Sequence, residues 1–512
     1  MDTVLITLYT ALFVITTTFL LLLRRRGPPS PPGPLSLPII GHLHLLGPRL
    51  HHTFHEFSLK YGPLIQLKLG SIPCVVASTP ELAREFLKTN ELAFSSRKHS
   101  TAIDIVTYDS SFAFSPYGPY WKYIKKLCTY ELLGARNLGH FQPIRNLEVR
   151  SFLQLLMHKS FKGESVNVTD ELVRLTSNVI SHMMLSIRCS EDEGDAEAAR
   201  TVIREVTQIF GEFDVTDIIW FCKKFDLQGI KKRSEDIQRR YDALLEKIIS
   251  DRERSRRQNR DKHGGGNNEE AKDFLDMLLD VMESGDTEVK FTREHLKALI
   301  LDFFTAGTDT TAIATEWAIA ELINNPNVLK KAQEEISRII GTKRIVQESD
   351  APDLPYLQAI IKETFRLHPP IPMLSRKSTS DCTVNGYKIQ AKSLLFVNIW
   401  SIGRNPNYWE SPMEFRPERF LEKGRESIDV KGQHFELLPF GTGRRGCPGM
   451  LLAIQEVVSI IGTMVQCFDW KLADGSGNNV DMTERSGLTA PRAFDLVCRL
   501  YPRVDPATIS GA

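Results

Sequence analysis

A chain of 512 residues, 42% hydrophobic and 25% charged, has the composition of a globular protein large enough to bury an extensive core, and length alone suggests about three domains. A formal net charge of +1 leaves no electrostatic footprint for nucleic acid. The eight cysteines, Cys74, Cys128, Cys189, Cys222, Cys382, Cys447, Cys467 and Cys498, are too sparse for a disulfide scaffold and form no C-x-x-C pair, so a reducing compartment is expected.

Residues 3–23, TVLITLYTALFVITTTFLLLL, carry no charge; as a helix they would span about 31 Å, roughly the hydrocarbon thickness of a bilayer. Arg24, Arg25 and Arg26 follow, so residues 1–26 read as a transmembrane signal anchor that leaves the rest of the chain cytosolic. A cleaved signal peptide would place its charges before a shorter apolar run. Residues 27–34, GPPSPPGP, suit a stiff hinge, and 35–512 form the globular part.

Leu64–Ser78 alternates as two short strands about a Gly-Ser turn. Helical periodicity then dominates: Pro80–Thr89 with Thr79 as its cap, Trp121–Tyr130, Ile144–His158, Asp170–Ile187 and Ile230–Arg257. The tract Arg256–Asp273 reads as a solvent loop. Asn167-Val168-Thr169 spells a glycosylation sequon, a chance match on a cytosolic chain.

Thr292–Asn325 is the longest helical run, about 50 Å, and so apolar all round that it must cross the interior. Its centre, Thr305-Ala306-Gly307-Thr308-Asp309-Thr310-Thr311, breaks the pattern. Glycine costs about 1 kcal/mol against alanine in a helix, and threonine hydroxyls bond back to carbonyls four residues earlier. Either a structural kink or a functional distortion follows; the clustering of alcohols, an acid and a small residue favours the second. Leu354–His368 carries Glu363 and Arg366 at i,i+3, by itself no more than a surface pair. Phe415–Phe420 adds Arg419, and Leu488–Arg503 reads as strands.

Pro439–Gly449, PFGTGRRGCPG, sets Cys447 in a glycine-rich loop ahead of the apolar stretch GMLLAIQEVVSIIGTMVQCF. This places Cys447 at a helix start with Pro448 at the first helical position, where unpaired N–H groups and the helix dipole favour a thiolate. Such a thiolate is a metal ligand or a nucleophile. Gly441–Gly446 spells G-x-G-x-x-G, but Pro439 interrupts the preceding segment, and only about 70 residues remain for a dinucleotide fold. A cysteine protease needs a histidine base, and no histidine lies in a comparably special context; His368 sits at a helix end.

Phe440, Gly443, Arg445, Cys447 and Gly449 spell F-x-x-G-x-R-x-C-x-G, and with this the chain resembles the cytochrome P-450 family of haem-thiolate monooxygenases. Ala306, Gly307, Asp309 and Thr310 match its A-G-x-D-T pattern, Glu363 and Arg366 its E-x-x-R helix, and Pro417 to Phe420 its P-E-R-F segment, all in family order. The resemblance implies a mainly α cytochrome P-450 fold, helices A to L with a small β-rich lobe, as one unit rather than three domains. It implies anchorage in the endoplasmic reticulum membrane, haem b (iron protoporphyrin IX), dioxygen, and NADPH electrons from a membrane-bound NADPH-cytochrome reductase. Cys447 resembles the axial iron ligand, whose thiolate favours O–O cleavage. Trp121, Lys125, Arg376 and Arg445 resemble haem-propionate partners, with Phe440 also in the cofactor-binding set; Lys125 stands where the family more often has arginine, keeping the charge without the fork. Thr310 and Asp309 resemble the catalytic proton relay, and Glu363, Arg366 and Arg419 a buried structural triad. Lys122, Lys126 and Arg444 are candidates to dock the reductase.

The closer resemblance is to plant members acting on flavonoids, within them flavone synthase II, on FFTAGTDTTAIATEWAIAELINNP and HPPIPMLSRK. The similar isoflavone synthases have serine where this chain has Thr310 and lysine where it has Ser375, which disfavours aryl migration. The implied reaction converts a flavanone such as naringenin to a flavone by C-2/C-3 desaturation. Flavanone 2-hydroxylation or another flavonoid hydroxylation are the alternatives, ahead of a non-oxidative haem-thiolate isomerase or a haem-binding non-enzyme. The substrate pocket is expected from Phe112 and Phe114 in the loop Ile103–Tyr117, from Phe303, Phe304 and Ala306 on the central helix, from Ile371 and Leu374, and from Leu488, together a flat apolar slot.

Overall fold

The computed structural model describes residues 9–16, 29–188, 195–212, 214–219, 222, 225–263, 272–285, 288–475, 477 and 479–510. The principal helices are α1 (Leu50–Tyr61), α2 (Pro119–Lys126), α3 (Gln142–Phe161), α4 (Val168–Leu185), α5 (Asp195–Gly211), α6 (Ile230–His263), α7 (Phe274–Ser284), α8 (Arg293–Asn324), α9 (Pro326–Ile339), α10 (Pro355–Leu367) and α11 (Met450–Cys467). The strands are β1 (Leu64–Leu69), β2 (Ile72–Ala77), β3 (Val166–Asn167), β4 (Met373–Lys377), β5 (Cys382–Val384), β6 (Tyr387–Ile389), β7 (Leu394–Asn398), β8 (Phe468–Leu472) and β9 (Val497–Pro502). The fold is therefore mainly helical with small sheets, as expected.

The largest sheet has the order β1-β2-β7-β4, with β2 and β7 parallel and the other pairs antiparallel. Its partners come from opposite ends of the chain, so β4 and β7 carry no hairpin signal, and the sequence reading omits them. The expected strand Leu488–Arg503 is realised only as β9. Upstream of it Glu484 bridges Arg492, and Pro491, which has no N–H, accepts from Arg485. The expected solvent loop from Arg256 also begins too early. Helix α6 continues to His263, its flank held where Arg256 pairs with Asp280.

Helix α8 crosses the interior, packed against α4, α5, α10 and α11. Thr292 caps it in a capping box with His295. The helix is continuous over 32 residues, so the weakened centre does not end it. Close packing accounts for Gly307, because a Cβ there would come within 2.6 Å of Ile180 Cδ1 on α4. Two of the threonines satisfy themselves along the helix, Thr305 Oγ1 donating to Leu301 O at 2.9 Å and Thr310 Oγ1 to Ala306 O at 2.8 Å, whereas Thr308 Oγ1 is buried without a partner among the described residues.

Most of the expected membrane anchor lies outside the described residues. Within it, residues 9–16 are helical and expose Tyr9, Leu12, Phe13, Val14 and Ile15. Among the described residues, α11 is the one helix long and apolar enough to cross a bilayer, and most of it is buried in the protein core.

Candidate active site

The cysteine loop closes on itself. The Cys447 N–H donates to Phe440 O at 2.9 Å and Gly446 N–H to Gly443 O at 2.9 Å, while Gly441 and Gly443 hold left-handed φ of 66° and 69°, which side chains resist. Helix α11 begins only at Met450, with Gly449 as its cap, so Pro448 is not its first residue and Cys447 lies before the first turn. This corrects the sequence expectation. The loop needs Cys447 N–H for its own closure, and the helix starts after it.

The Cys447 side chain is accessible by area yet thickly surrounded by protein, as befits the wall of an interior cleft rather than the outer surface. Burial pushes its thiol up, against the opposing pull of the Gly449 N–H, Lys125 and Arg97. The helix dipole thus does not by itself make a thiolate here; a coordinated metal ion, which deprotonates a thiol outright, would.

Three arginines gather beside the loop. Arg376 and Arg445 are buried, and burial together with mutual repulsion among Arg97, Arg376 and Arg445 pushes the basicity of both well down. Among the described residues none of the three has a carboxylate ion-pair partner. Arg445 donates to Ser95 O at 2.7 Å and to Ser115 O, and Arg376 to Ser375 O at 2.8 Å. Arg97 Nε and Arg445 Nη1 are buried with no partner at all. A guanidinium does not shed its proton, so a knot of cations with orphaned donors is an unmet demand for anions. The two propionates of haem fit that demand, and the Cys447 sulfur fits its iron. Trp121 lies under Arg445, ring to guanidinium 4.4 Å, and stacks on Phe112 at 5.9 Å. Lys125 departs from its expected role in one respect: its ammonium donates to Gly446 O at 2.9 Å and so braces the cysteine loop. Phe440 meets Phe365 edge-on at 5.4 Å, tying the loop to α10.

The triad assembles from segments that are distant in sequence. Glu363, fully buried, accepts from Arg366 Nε and Nη2 at 2.7 Å each, from Arg419 Nε at 3.0 Å and from the Arg416 N–H at 2.8 Å. The arginines also hold backbone carbonyls of Gly403, Glu410, Pro412 and Glu414. These contacts pin the segment that leads into the cysteine loop to α10.

On α8, Ala306 is exposed although the runs Leu296–Asp302 and Thr311–Ile323 on either side of it are buried, so this face opens on the cleft. Asp302, Ala306 and Thr310, at i, i+4 and i+8, share one stripe. Asp309 hydrogen-bonds Thr207 on α5; burial pushes its carboxyl up, opposed by Thr207, Arg485 and Arg204. The pocket expectations divide. Phe114, half-buried and 6.0 Å from Phe210, half-buried Ile371 and exposed Leu488 keep accessible surface. Phe304 and Leu374 are buried in core clusters, Phe112 is buried against Trp121, and Phe303 packs edge-on to core residue Phe274 at 5.6 Å. Phe304 therefore does not form the expected wall, because it projects about 160° around α8 from Ala306, whereas Phe303 is offset by only about 60° and stays half-buried.

Three groups escaped the sequence reading. Arg97 has no local signal, since only folding sets it beside Arg376 and Arg445. Phe210 and Thr207 of α5 meet the site through Phe114 and Asp309. Asp302 was visible as a charge inside an apolar helix. It is buried, hydrogen-bonds Ser111 Oγ at 2.7 Å and the Phe112 N–H at 2.6 Å, and burial pushes it up to about 6 against those bonds. Of the expected docking cations, Lys122 and Lys126 are exposed, whereas Arg444 is paired with Glu91.

Comparison with known proteins places this geometry. The family model described as Cytochrome P450 matches residues 31–498. "Cytochrome P450 93B2" of Gerbera hybrida is 62% identical, over 95% of this chain and 93% of its own length. A "2-hydroxyisoflavanone synthase" of Glycyrrhiza echinata is 45% identical, over 92% of this chain and 91% of its own. Among solved structures, a zebra fish cytochrome P450 with progesterone superposes with a TM-score of 0.75 at 25% identity, covering 88% of this chain and 99% of that one.

Proposed function

The chain belongs to the cytochrome P450 family, and on that footing we propose that it is a flavone synthase that converts flavanones such as naringenin to flavones by C-2/C-3 desaturation. Family membership brings haem, dioxygen and electrons from a redox partner; the finer reading adds NADPH-cytochrome reductase as that partner and a single-pass endoplasmic reticulum anchor. The observation that carries the chemistry is Cys447 set beside three arginines that lack anions. Haem held there supplies the dioxygen and one-electron chemistry.

The chain's own groups do the rest. Arg97, Arg376 and Arg445 would hold the carboxylates of the cofactor. Thr310 Oγ1 spends its proton on Ala306 O, which leaves its lone pairs to accept from a water in the cleft. Asp309, whose carboxyl burial pushes up, can hold a proton between that position and Thr207. Phe114, Ala306, Ile371 and Leu488 offer apolar surface for a flat aromatic ketone. The flavanone assignment draws its support from the relatives: one of them is named for making a 2-hydroxyisoflavanone, a product oxidised at C-2.

Microsomes containing the chain, reductase and NADPH are to be given naringenin. A product lighter by two hydrogens is expected. A product heavier by one oxygen would instead make the chain a flavanone hydroxylase, and no turnover of any flavanone would remove the substrate assignment.

A further inference from the structure

A carboxylate in the middle of an apolar helix is expensive unless the fold gives it partners. Asp302 sits there with 8% of its surface accessible, one turn before the exposed Ala306. Among the described residues no lysine or arginine lies in ion-pair contact with it. Instead its oxygens take Ser111 Oγ at 2.7 Å, the Phe112 N–H at 2.6 Å and the Ala113 N–H, three consecutive residues of one loop.

That loop closes partly on itself, Ser115 N–H donating to Ser111 O at 2.9 Å and Phe114 N–H to Ser111 Oγ at 3.3 Å. Tyr108 and Asp109 adopt left-handed φ of 55° and 52°, a conformation that side chains resist. Its further anchors include Tyr108 OH, which donates to Asp242 Oδ1 at 2.6 Å, and, on either side of the phenylalanines, Tyr120 OH, which donates to Ser110 O at 2.6 Å, and Arg445, which donates to Ser115 O. The span between them carries Phe112, stacked on Trp121, and Phe114, facing Phe210 across the cleft. Asp302 therefore grips the loop from the central helix while Arg445 grips it from the cysteine loop.

We propose that Asp302 is a positioning residue for the substrate: by clamping Ser111–Ala113 to α8 it sets where Phe114 stands relative to Ala306, and so which carbon of the substrate is presented for reaction. The inference rests on the haem-thiolate reading of the site. Neither Asp302 nor its loop touches the reacting atoms, so the effect is on orientation and affinity. Asparagine can mimic the clamp, its Oδ1 accepting from the Phe112 N–H while its Nδ2 donates to Ser111 Oγ; alanine cannot.

The test uses the full-length, haem-loaded protein and the variants Asp302→Ala, Asp302→Asn and Ser111→Ala. Hydrogen exchange across residues 107–118 should quicken at least tenfold in Asp302→Ala, stay within about threefold in Asp302→Asn, and be unchanged around Glu363. Per intact haem, Asp302→Ala should raise the naringenin KM about tenfold with kcat changed much less, and shift the ratio of desaturated to hydroxylated product. Unchanged exchange overturns the clamp. Faster exchange with wild-type KM and product ratio overturns positioning and leaves a purely structural contact. If the wild type turns over no flavanone, the substrate reading fails on its own. Asp302 is then judged by exchange and by the Kd for phenylimidazole, read from its Soret shift: a Kd unchanged in Asp302→Ala overturns the inference, and a Kd weakened about tenfold sustains it.

Discussion

Replacing Glu363 by alanine is the severest test of how the cysteine loop is held. The substitution removes the acceptor for four hydrogen bonds at 2.7, 2.7, 2.8 and 3.0 Å. It leaves Arg366 and Arg419, each 1% exposed, as neighbouring cations with only backbone carbonyls to face. Removing one member of a buried ion pair costs about 3–5 kcal/mol, and two stranded guanidiniums place this site at the upper end. Against a total stability of about 5–15 kcal/mol, that is a third of the protein's margin or more. Glu363→Gln keeps the volume and one acceptor and should lose less. The assay is the reduced carbon monoxide spectrum per unit of immunodetected protein, followed during heating. Asp302→Ala, which leaves the triad untouched, serves as the control for general disturbance of the haem site. Wild-type haem content in Glu363→Ala, with less than about 1 kcal/mol lost, would refute the account of the triad as the support of the loop.

Three further outcomes follow from the geometry. Gly403→Ala should be as damaging as a triad deletion, because its Cβ would fall 2.2 Å from Arg366 O, a backbone atom that cannot swing aside; holoprotein yield reads the effect. Thr310→Ala removes the hydroxyl from the cleft face of α8 while retaining helix propensity, so it should leave the carbon monoxide spectrum intact but raise peroxide released per NADPH consumed. Unchanged coupling would make that hydroxyl structural. Glu456, buried on α11 against Thr311 of α8, has Arg145 nearby, but Arg145 is already bidentate to Glu348, so burial pushes the Glu456 carboxyl up to about 8. Its unfolded counterpart ionises near 4.5. From there up to about 8 the folded state keeps a proton the unfolded state has lost, and stability falls by about 1.4 kcal/mol per pH unit from this group, on the order of 5 kcal/mol in all. Glu456→Gln should therefore gain on the wild type as pH rises from 5 to 8. A stability difference that stays flat over that range would contradict the neutral carboxyl.

The sequence was most readable where chemistry is local. The loop around Cys447 announces itself because glycines, a cysteine and arginines must be neighbours in the chain for it to close. Helix α8 announces itself through length and apolarity, and α10 through its proline stop. The reading failed where period and position do not say what lies opposite. Gly307 looked like a weak point in a helix and is instead the contact point of Ile180. Phe304 looked like part of a pocket wall and is core, because two residues along a helix turn a side chain by about 200°. Strands β4 and β7 were invisible because β7 pairs with β2 across more than 300 residues.

The amino-acid sequence by itself determined that Cys447 sits in a glycine-bound loop and which helix crosses the core, because both rest on spacing within single segments. The iron-ligand reading of Cys447 and the pairing of Glu363 with two arginines came with the family resemblance. Only the tertiary structure decided that Arg97 joins Arg376 and Arg445 in a cationic knot without anions, and that Asp302 holds the loop of Phe112 and Phe114. Both depend on charges brought together from segments that share no local pattern. Their energies come from burial, which no stretch of sequence possesses until the rest of the chain has covered it.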